Sequence, residues 1–142
     1  MYKDILLAVD LEDEASWSKA LPMAVEYCKA FGSTLHIITV APSFGMTLVG
    51  QFFPAGYEKQ VEDTVLAGLR EFVRQHVPEG VRVRNIVSQG TIYKEILDAA
   101  ERVGCDLIVM ASHRPELADY LLGPNAARVV RHANCSVLVV RD

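Results

Sequence analysis

Two rhythms of apolar and polar positions alternate along the chain. Ile5-Leu6-Leu7-Ala8-Val9 is an unbroken apolar run that stops at Asp10. Such runs mark strands of parallel sheets covered on both faces. Trp17, Leu21, Ala24, Cys28 and Phe31 then recur at spacings of four, three, four and three, which is one face of a helix. Asp13 or Ser16 is its N-cap and Gly32 closes it, while Pro22 either kinks it or sits in a distorted early turn. Leu35–Val40 is a second strand. Val61, Val65, Leu69, Phe72 and His76 predict a second helix, ended by Pro78-Glu79-Gly80. Residues 81–87 alternate apolar and polar and so predict a half-exposed edge strand. Gly90-Thr91 opens a third helix with Ile92, Ile96, Ala99, Ala100 and Val103 inward. Asp106–Met110 is a fourth strand, and a loop from Ala111 to Leu122 leads to Gly123-Pro124-Asn125. Proline is favourable at a first helical position, so a short helix follows to about Ala133. Ser136–Val140 is the fifth strand.

Strands alternating with helices predict an α/β fold, a parallel sheet with helices on both faces. The 142 residues suit one domain, 1–142, large enough to bury roughly 68–70% of the unfolded surface without a disulfide or metal. With 51% hydrophobic side chains, disorder is excluded. No apolar run approaches the ~18 residues of a membrane span, and the N-terminus has no signal-peptide pattern. The expectation is a cytoplasmic protein without a membrane partner. Cys28, Cys105 and Cys135 cannot all pair, form no Cys-x-x-Cys, and read as reduced core thiols. The net charge of −4 argues against nucleic-acid partners. That charge is uneven: residues 111–142 hold four Lys/Arg against three Asp/Glu, so the acidity lies in the first 110 residues.

Candidate chemistry follows from topology. In open sheets of this kind, ligands bind beyond the carboxyl ends of the strands where the winding reverses. Asp10-Leu11-Glu12-Asp13 and Ala111-Ser112-His113-Arg114, with Gly123-Pro124-Asn125, are the segments placed to form such a site. The second leads into a helix N-terminus, where free N–H groups and the dipole favour phosphate. The common dinucleotide and P-loop fingerprints are absent. Residues 41–56 form a long connection with an apolar content that must pack on the domain itself, a partner or a ligand. His113 has no evident nucleophile or carboxylate beside it, so catalysis is not expected. His36, His76 and His132 are too irregularly spaced for a metal site.

Val109-Met110-Ala111-Ser112-His113-Arg114-Pro115, followed by the stretch from Tyr120 to Arg141, closely resembles the C-terminal signature of universal stress proteins. Ile5–Asp10, Thr39-Val40 and Gly90-Thr91 with Ile96 extend the resemblance over the whole chain. It implies a five-stranded, open Rossmann-like αβα sandwich of order 3-2-1-4-5, usually as a homodimer. The ATP-binding branch of that family carries Gly-x2-Gly-x9-Gly-Ser/Thr. Here Ala111 stands at the first glycine, Arg114 replaces the second, and Pro115–Leu122 is one residue shorter than the usual spacing. Pro124 stands where serine is usual. Ala-Ser-His-Arg-Pro is similar to the F/G-type subgroup, still associated with ATP. Carried over, Asp10 and Val40 contact adenine and ribose. Ala111 stands in the motif, Ser112, His113 and Arg114 lie near ribose and phosphates, and Gly123, Asn125 and Ala126 hold the phosphates. Asp10 also reads as a cap of the turn after strand one, Val40 as plain core and Arg114 as a solvated charge.

Losing the serine and one amide at Pro124 removes about 1.5–3 kcal/mol, roughly ten- to a hundred-fold in affinity. The expectation is a stress-response regulator binding ATP or another adenine nucleotide, with Mg2+ where phosphates require it, and acting as a homodimeric sensor or interaction module rather than an enzyme. Its rivals are a nucleotide-impaired module working through protein partners and a slow ATP hydrolase. The fifth strand, an apolar sheet edge in that order, invites pairing with the same strand of a second copy.

Overall fold

A computed structural model describes residues 1–41, 57–112 and 123–141. Its elements are β1 (Asp4–Ala8), α1 (Ala20–Phe31), β2 (Thr34–Ala41), α2 (Tyr57–His76), β3 (Arg82–Gln89), α3 (Ile92–Val103), β4 (Leu107–Ser112), α4 (Pro124–His132) and β5 (Ser136–Arg141). All five strands pair in parallel in the order β3-β2-β1-β4-β5. The predicted class and strand order are therefore those observed. The long connection from 42 to 56 lies outside the described residues.

Side-chain alternation divides the core into two layers. Ile5, Leu7, Leu35, Ile37, Leu107 and Val109 point to the side of α1 and α2, where Leu21, Ala24, Val25, Leu69 and Phe72 meet them. Leu6, Ile38, Ile108 and Met110 point to the other side, onto Ile96, Ala99, Ala126 and Val129 of α3 and α4. Strands covered on both faces need no polar positions, which is why β1 and β4 read as unbroken apolar runs.

Three expectations need correction. The first helix does not start at Trp17: a 3-10 turn at Glu14–Ser16, capped by the Asp13 side chain, precedes α1. Pro22 is the third residue of α1, where the missing N–H is least costly. Phe31 and His76, expected inward, are exposed. Phe31 lies on the ring of Tyr27 at 5.9 Å, and His76 lies on Trp17 at 4.6 Å, so each covers an aromatic from outside. Ala111 and Ser112 are not loop but the last residues of β4, paired with Val140 and Arg141. Gly32 and Gly104 end α1 and α3 in the left-handed conformation (φ 66° each), where glycine is the unstrained choice.

Candidate functional site

The carboxyl end of β1 is shaped by hydrogen bonds that fix Asp10. Val9 N–H donates to the Ile38 carbonyl at 2.9 Å, continuing the β1–β2 ladder one residue beyond β1. The chain then turns, with Asp13 N–H on the Asp10 carbonyl at 3.0 Å and Glu12 N–H on Asp10 Oδ1 at 3.0 Å. Ser16 Oγ accepts from Asp10 N–H at 2.8 Å and lies 3.0 Å from the Asp10 carbonyl and 2.7 Å from that of Asp13. A hydroxyl has one proton, so it can serve only one of those two carbonyls at a time. Asp10 thus does cap its turn. Its side chain is nonetheless exposed, and its second carboxylate oxygen has no partner among the described residues.

At the neighbouring strand, Ser112 shares by alternation the side of Ile108 and Met110, toward α3 and α4. It is 1% exposed, and its Oγ has no hydrogen-bond partner among the described residues. An unpartnered buried hydroxyl is uncommon and costs about 1–3 kcal/mol, the kind of defect a ligand or water repairs.

α4 begins opposite these strand ends. Gly123 is its buried N-cap and gives no side-chain cap, and Pro124 occupies the first helical position. Ala127 N–H reaches the Gly123 carbonyl at 2.9 Å. Pro124 has no N–H, so the first-turn donors left without an acceptor among the described residues are Asn125 and Ala126. With the helix dipole they form a small electropositive end. Arg128 is turned elsewhere, over the Tyr93 ring at 4.8 Å.

A cavity of about 200 Å³ opens at this junction. Asp10, Val40, Ala111 and Asn125, four of the residues singled out in the sequence, line it together. Ser112 and Gly123 adjoin the wall without forming it. Ala126 turns its side chain into the core beside Ile96 and Val129, leaving only its backbone for a ligand. His113 and Arg114 lie outside the described residues. Sequence reasoning named Ser16 only as a possible helix cap, not as the residue that holds the Asp10 turn and lines the cavity, and it missed the apolar wall of Ala8, Ile38, Ile96 and Met110. Ile92, expected inward, is 45% exposed at this cavity, because α3 starts at the same end of the sheet. The signal for it was Gly90-Thr91, which fixes that start. Among the described residues no three His, Cys, Asp or Glu side chains gather as a metal-ligand set.

Fold and site together define a doubly wound α/β domain with a crevice at the topological switch point between β1 and β4, bordered by a helix N-terminus. Residues 1–141 match the model of the universal stress protein family, and the chain belongs to that family. It is 30% identical over 143 aligned positions to universal stress protein G of Escherichia coli O157:H7, covering 99% of this chain and 100% of that protein. Among solved structures, universal stress protein UspA from Lactobacillus plantarum superposes with a TM-score of 0.73 at 23% identity, over 99% of this chain and 98% of that one. A universal stress protein in complex with cAMP superposes at 0.69 and 23% identity, over 99% and 97%. The Archaeoglobus fulgidus protein in complex with dAMP does so at 0.61 and 20%, over 97% of each. Among the described residues, no helix is long and apolar enough to cross a membrane.

Proposed function

We propose that this universal stress protein binds an adenine nucleotide, ATP in preference, as a regulatory ligand, and acts as a homodimeric sensor or interaction module without efficient catalysis. The observation that carries the reading is the convergence of Asp10, Val40, Ala111 and Asn125 on one cavity beside the amides of Asn125 and Ala126, which have no acceptor among the described residues. An apolar floor from Ile38, Ile96 and Met110 suits a purine ring, the free Asp10 oxygen suits a ribose or amino donor, and a helix N-terminus suits phosphate. Relatives of the same fold in complex with cAMP and dAMP support the adenine class. Ala-Ser-His-Arg-Pro in place of the glycine-rich motif is, in this reading, the F/G-type variant of the phosphate loop. Mg2+ would accompany the polyphosphate without a dedicated protein cage.

The homodimer forms through β5, which is the sheet edge and offers Val137, Leu138 and Val139 only half-buried. Three free thiols fit a reducing, cytoplasmic compartment.

Calorimetric titration with ATP and magnesium tests the reading on the native chain and on Gly123→Asp, with a thermal melt to verify folding. The native chain should release binding heat. Gly123→Asp sets a carboxylate against the phosphates and should weaken binding at least about a hundred-fold, from like-charge contact in a desolvated site. No heat from the native chain overturns the reading, and unchanged binding in the folded variant moves the site elsewhere. One observation favours a second reading, a nucleotide-impaired module working through protein partners: Pro124 deletes an amide where the family uses a serine. Phosphate release over hours would instead identify a slow hydrolase.

A further inference from the structure

At the opposite, amino end of the sheet, two of the three cysteines come together. Cys105 follows Gly104, the cap of α3, and stands two residues before β4. Cys135 stands one residue before β5. β4 and β5 are parallel neighbours in the register Leu107↔Ser136, so extending it places the two cysteines on adjacent chains, one residue out of step. At a strand spacing of about 4.8 Å and a rise of about 3.3 Å, their Cα atoms are roughly 6 Å apart, inside the range a disulfide spans. Both side chains face the α3–α4 layer: Cys105 belongs to its buried cluster and Cys135 packs against it beside Val137 and Val139. The two thiols are near enough to influence each other's ionisation. Both line a cavity of about 200 Å³ walled by Leu97, Ala100, Ile108 and Ala133, so a small oxidant can reach them. Cys28 is buried in the other layer, among α1 and β2, and cannot compete.

We propose that Cys105 and Cys135 are a modification site, a dithiol that peroxide converts to an intramolecular disulfide, with Cys135 attacking first and Cys105 resolving. The roles follow from exposure. Cys105 is 8% exposed and burial pushes its thiol up to about 12. Cys135 is also raised by burial, but it is only half-buried and so the more accessible of the two. The thiolate is the nucleophile and has to meet the peroxide, so the less buried sulfur reacts first.

In the first step Cys135 thiolate attacks one peroxide oxygen. The S–O bond forms, the O–O bond breaks, and the departing hydroxide is protonated to water, leaving a sulfenic acid. In the second step the Cys105 sulfur attacks the sulfenic sulfur. The S–S bond forms, the S–O bond breaks, and hydroxide leaves with the Cys105 proton as a second water. Two thiols lose two electrons and one peroxide gains them. Because both thiols are poor acids, the reaction is slower than at a dedicated peroxide-reactive cysteine. Once made, the disulfide has poor leaving groups and no thiolate form to favour its reduction. It would tie together the two ends of the segment that carries β4, Ser112, Gly123 and α4.

The test treats the full chain with hydrogen peroxide, alkylates it under denaturing conditions and maps its tryptic peptides. The expected product joins peptides 103–128 and 132–141 and lacks two hydrogens. In Cys105→Ala, a dimedone probe should trap sulfenic acid at Cys135. In Cys135→Ala, labelling of Cys105 should fall by roughly tenfold or more relative to that. Cys105→Ser and Cys135→Ser, checked by circular dichroism, repeat the comparison should an alanine variant fail to fold. A bridge using Cys28, an intermolecular bridge, no bridge after prolonged excess peroxide, or stronger labelling of Cys105 than Cys135 overturns the proposal.

Discussion

The two ends of the sheet use their polar groups in opposite ways. At the amino end the protein satisfies itself. Asp106 accepts from the N–H groups of Lys3 at 3.0 and 3.2 Å and of Asp4 at 3.1 Å, and Asp106 N–H returns a bond to the Asp4 carbonyl at 3.0 Å. Asp4 Oδ1 meets His36 Nε2 at 2.9 Å, Ser33 Oγ donates to the Tyr2 carbonyl at 2.6 Å, and Arg82 donates to the Gly32 carbonyl at 3.0 Å. His36 Nδ1 and Asn85 Oδ1 are exceptions, buried without a partner among the described residues. At the carboxyl end, the amides of Asn125 and Ala126 and one oxygen of Asp10 are left without partners among the described residues beside a cavity, and Ser112 Oγ, which does not line it, is buried without one. Satisfied groups stabilise a fold and unsatisfied ones bind something else. The contrast therefore assigns stability to one end and recognition to the other, and substitutions at each should have separable effects.

The largest separation is expected at Pro124. Pro124→Ser restores an amide and adds a hydroxyl at the helix start, so ATP affinity should rise by about ten- to a hundred-fold. The same change gives up the stiffness of proline in the unfolded chain, and stability should fall by about 0.5 kcal/mol. Calorimetry and a urea melt on one sample measure both. An affinity that does not move would mean that the α4 N-terminus is not where phosphate lies.

Asp106→Ala should do the reverse. It leaves two backbone N–H groups without their charged acceptor, a loss of about 2 kcal/mol after allowance for their partial exposure. For a chain of this size that lowers Tm by roughly 6–8 °C. ATP affinity should stay within about twofold, because the cavity lies at the far ends of the same strands. A matching loss of affinity would break the division between the two ends.

How much of this was legible in the sequence differs between fold and site. Helix and strand order came from periodicity because β1 and β4 are covered on both faces, which forces continuous apolar runs, and because α3 presents Ile96, Ala99 and Ala100 to the core. The start of α1 was not legible. Trp17 fits the helical spacing yet precedes the helix, since Asp13 caps a separate 3-10 turn and Trp17 instead packs edge-on against Phe72 at 5.0 Å. The strand order rested on family resemblance, because spacing alone does not say which strands pair. At the site, Asp10 and Asn125 were readable from their places after a strand and at a helix start. Ser16 was visible only as an alternative cap, since its role depends on how the turn folds back onto Asp10. The meeting of Cys105 with Cys135 was invisible in sequence, where they are far apart, until β4 and β5 were known to be neighbours.

The smallest expected effect sharpens the amino end further. Burial raises Cys105 to about 12 and Cys28 to about 11, so the fold favours the neutral thiol. A raised folded pKa contributes stability that is fully present below the unfolded value near 9 and is lost as pH climbs through the folded one. Between those limits the unfolded chain releases protons that the folded chain keeps, and unfolding gains the advantage. Reduced wild-type protein should therefore lose Tm as pH rises from about 8 to 10.5, and Cys105→Ala, lacking one such group, should lose less. A melt series under reducing conditions measures the two slopes. Parallel slopes would mean that Cys105 ionises as freely in the fold as outside it, and that the amino end is less closed than its hydrogen bonds imply.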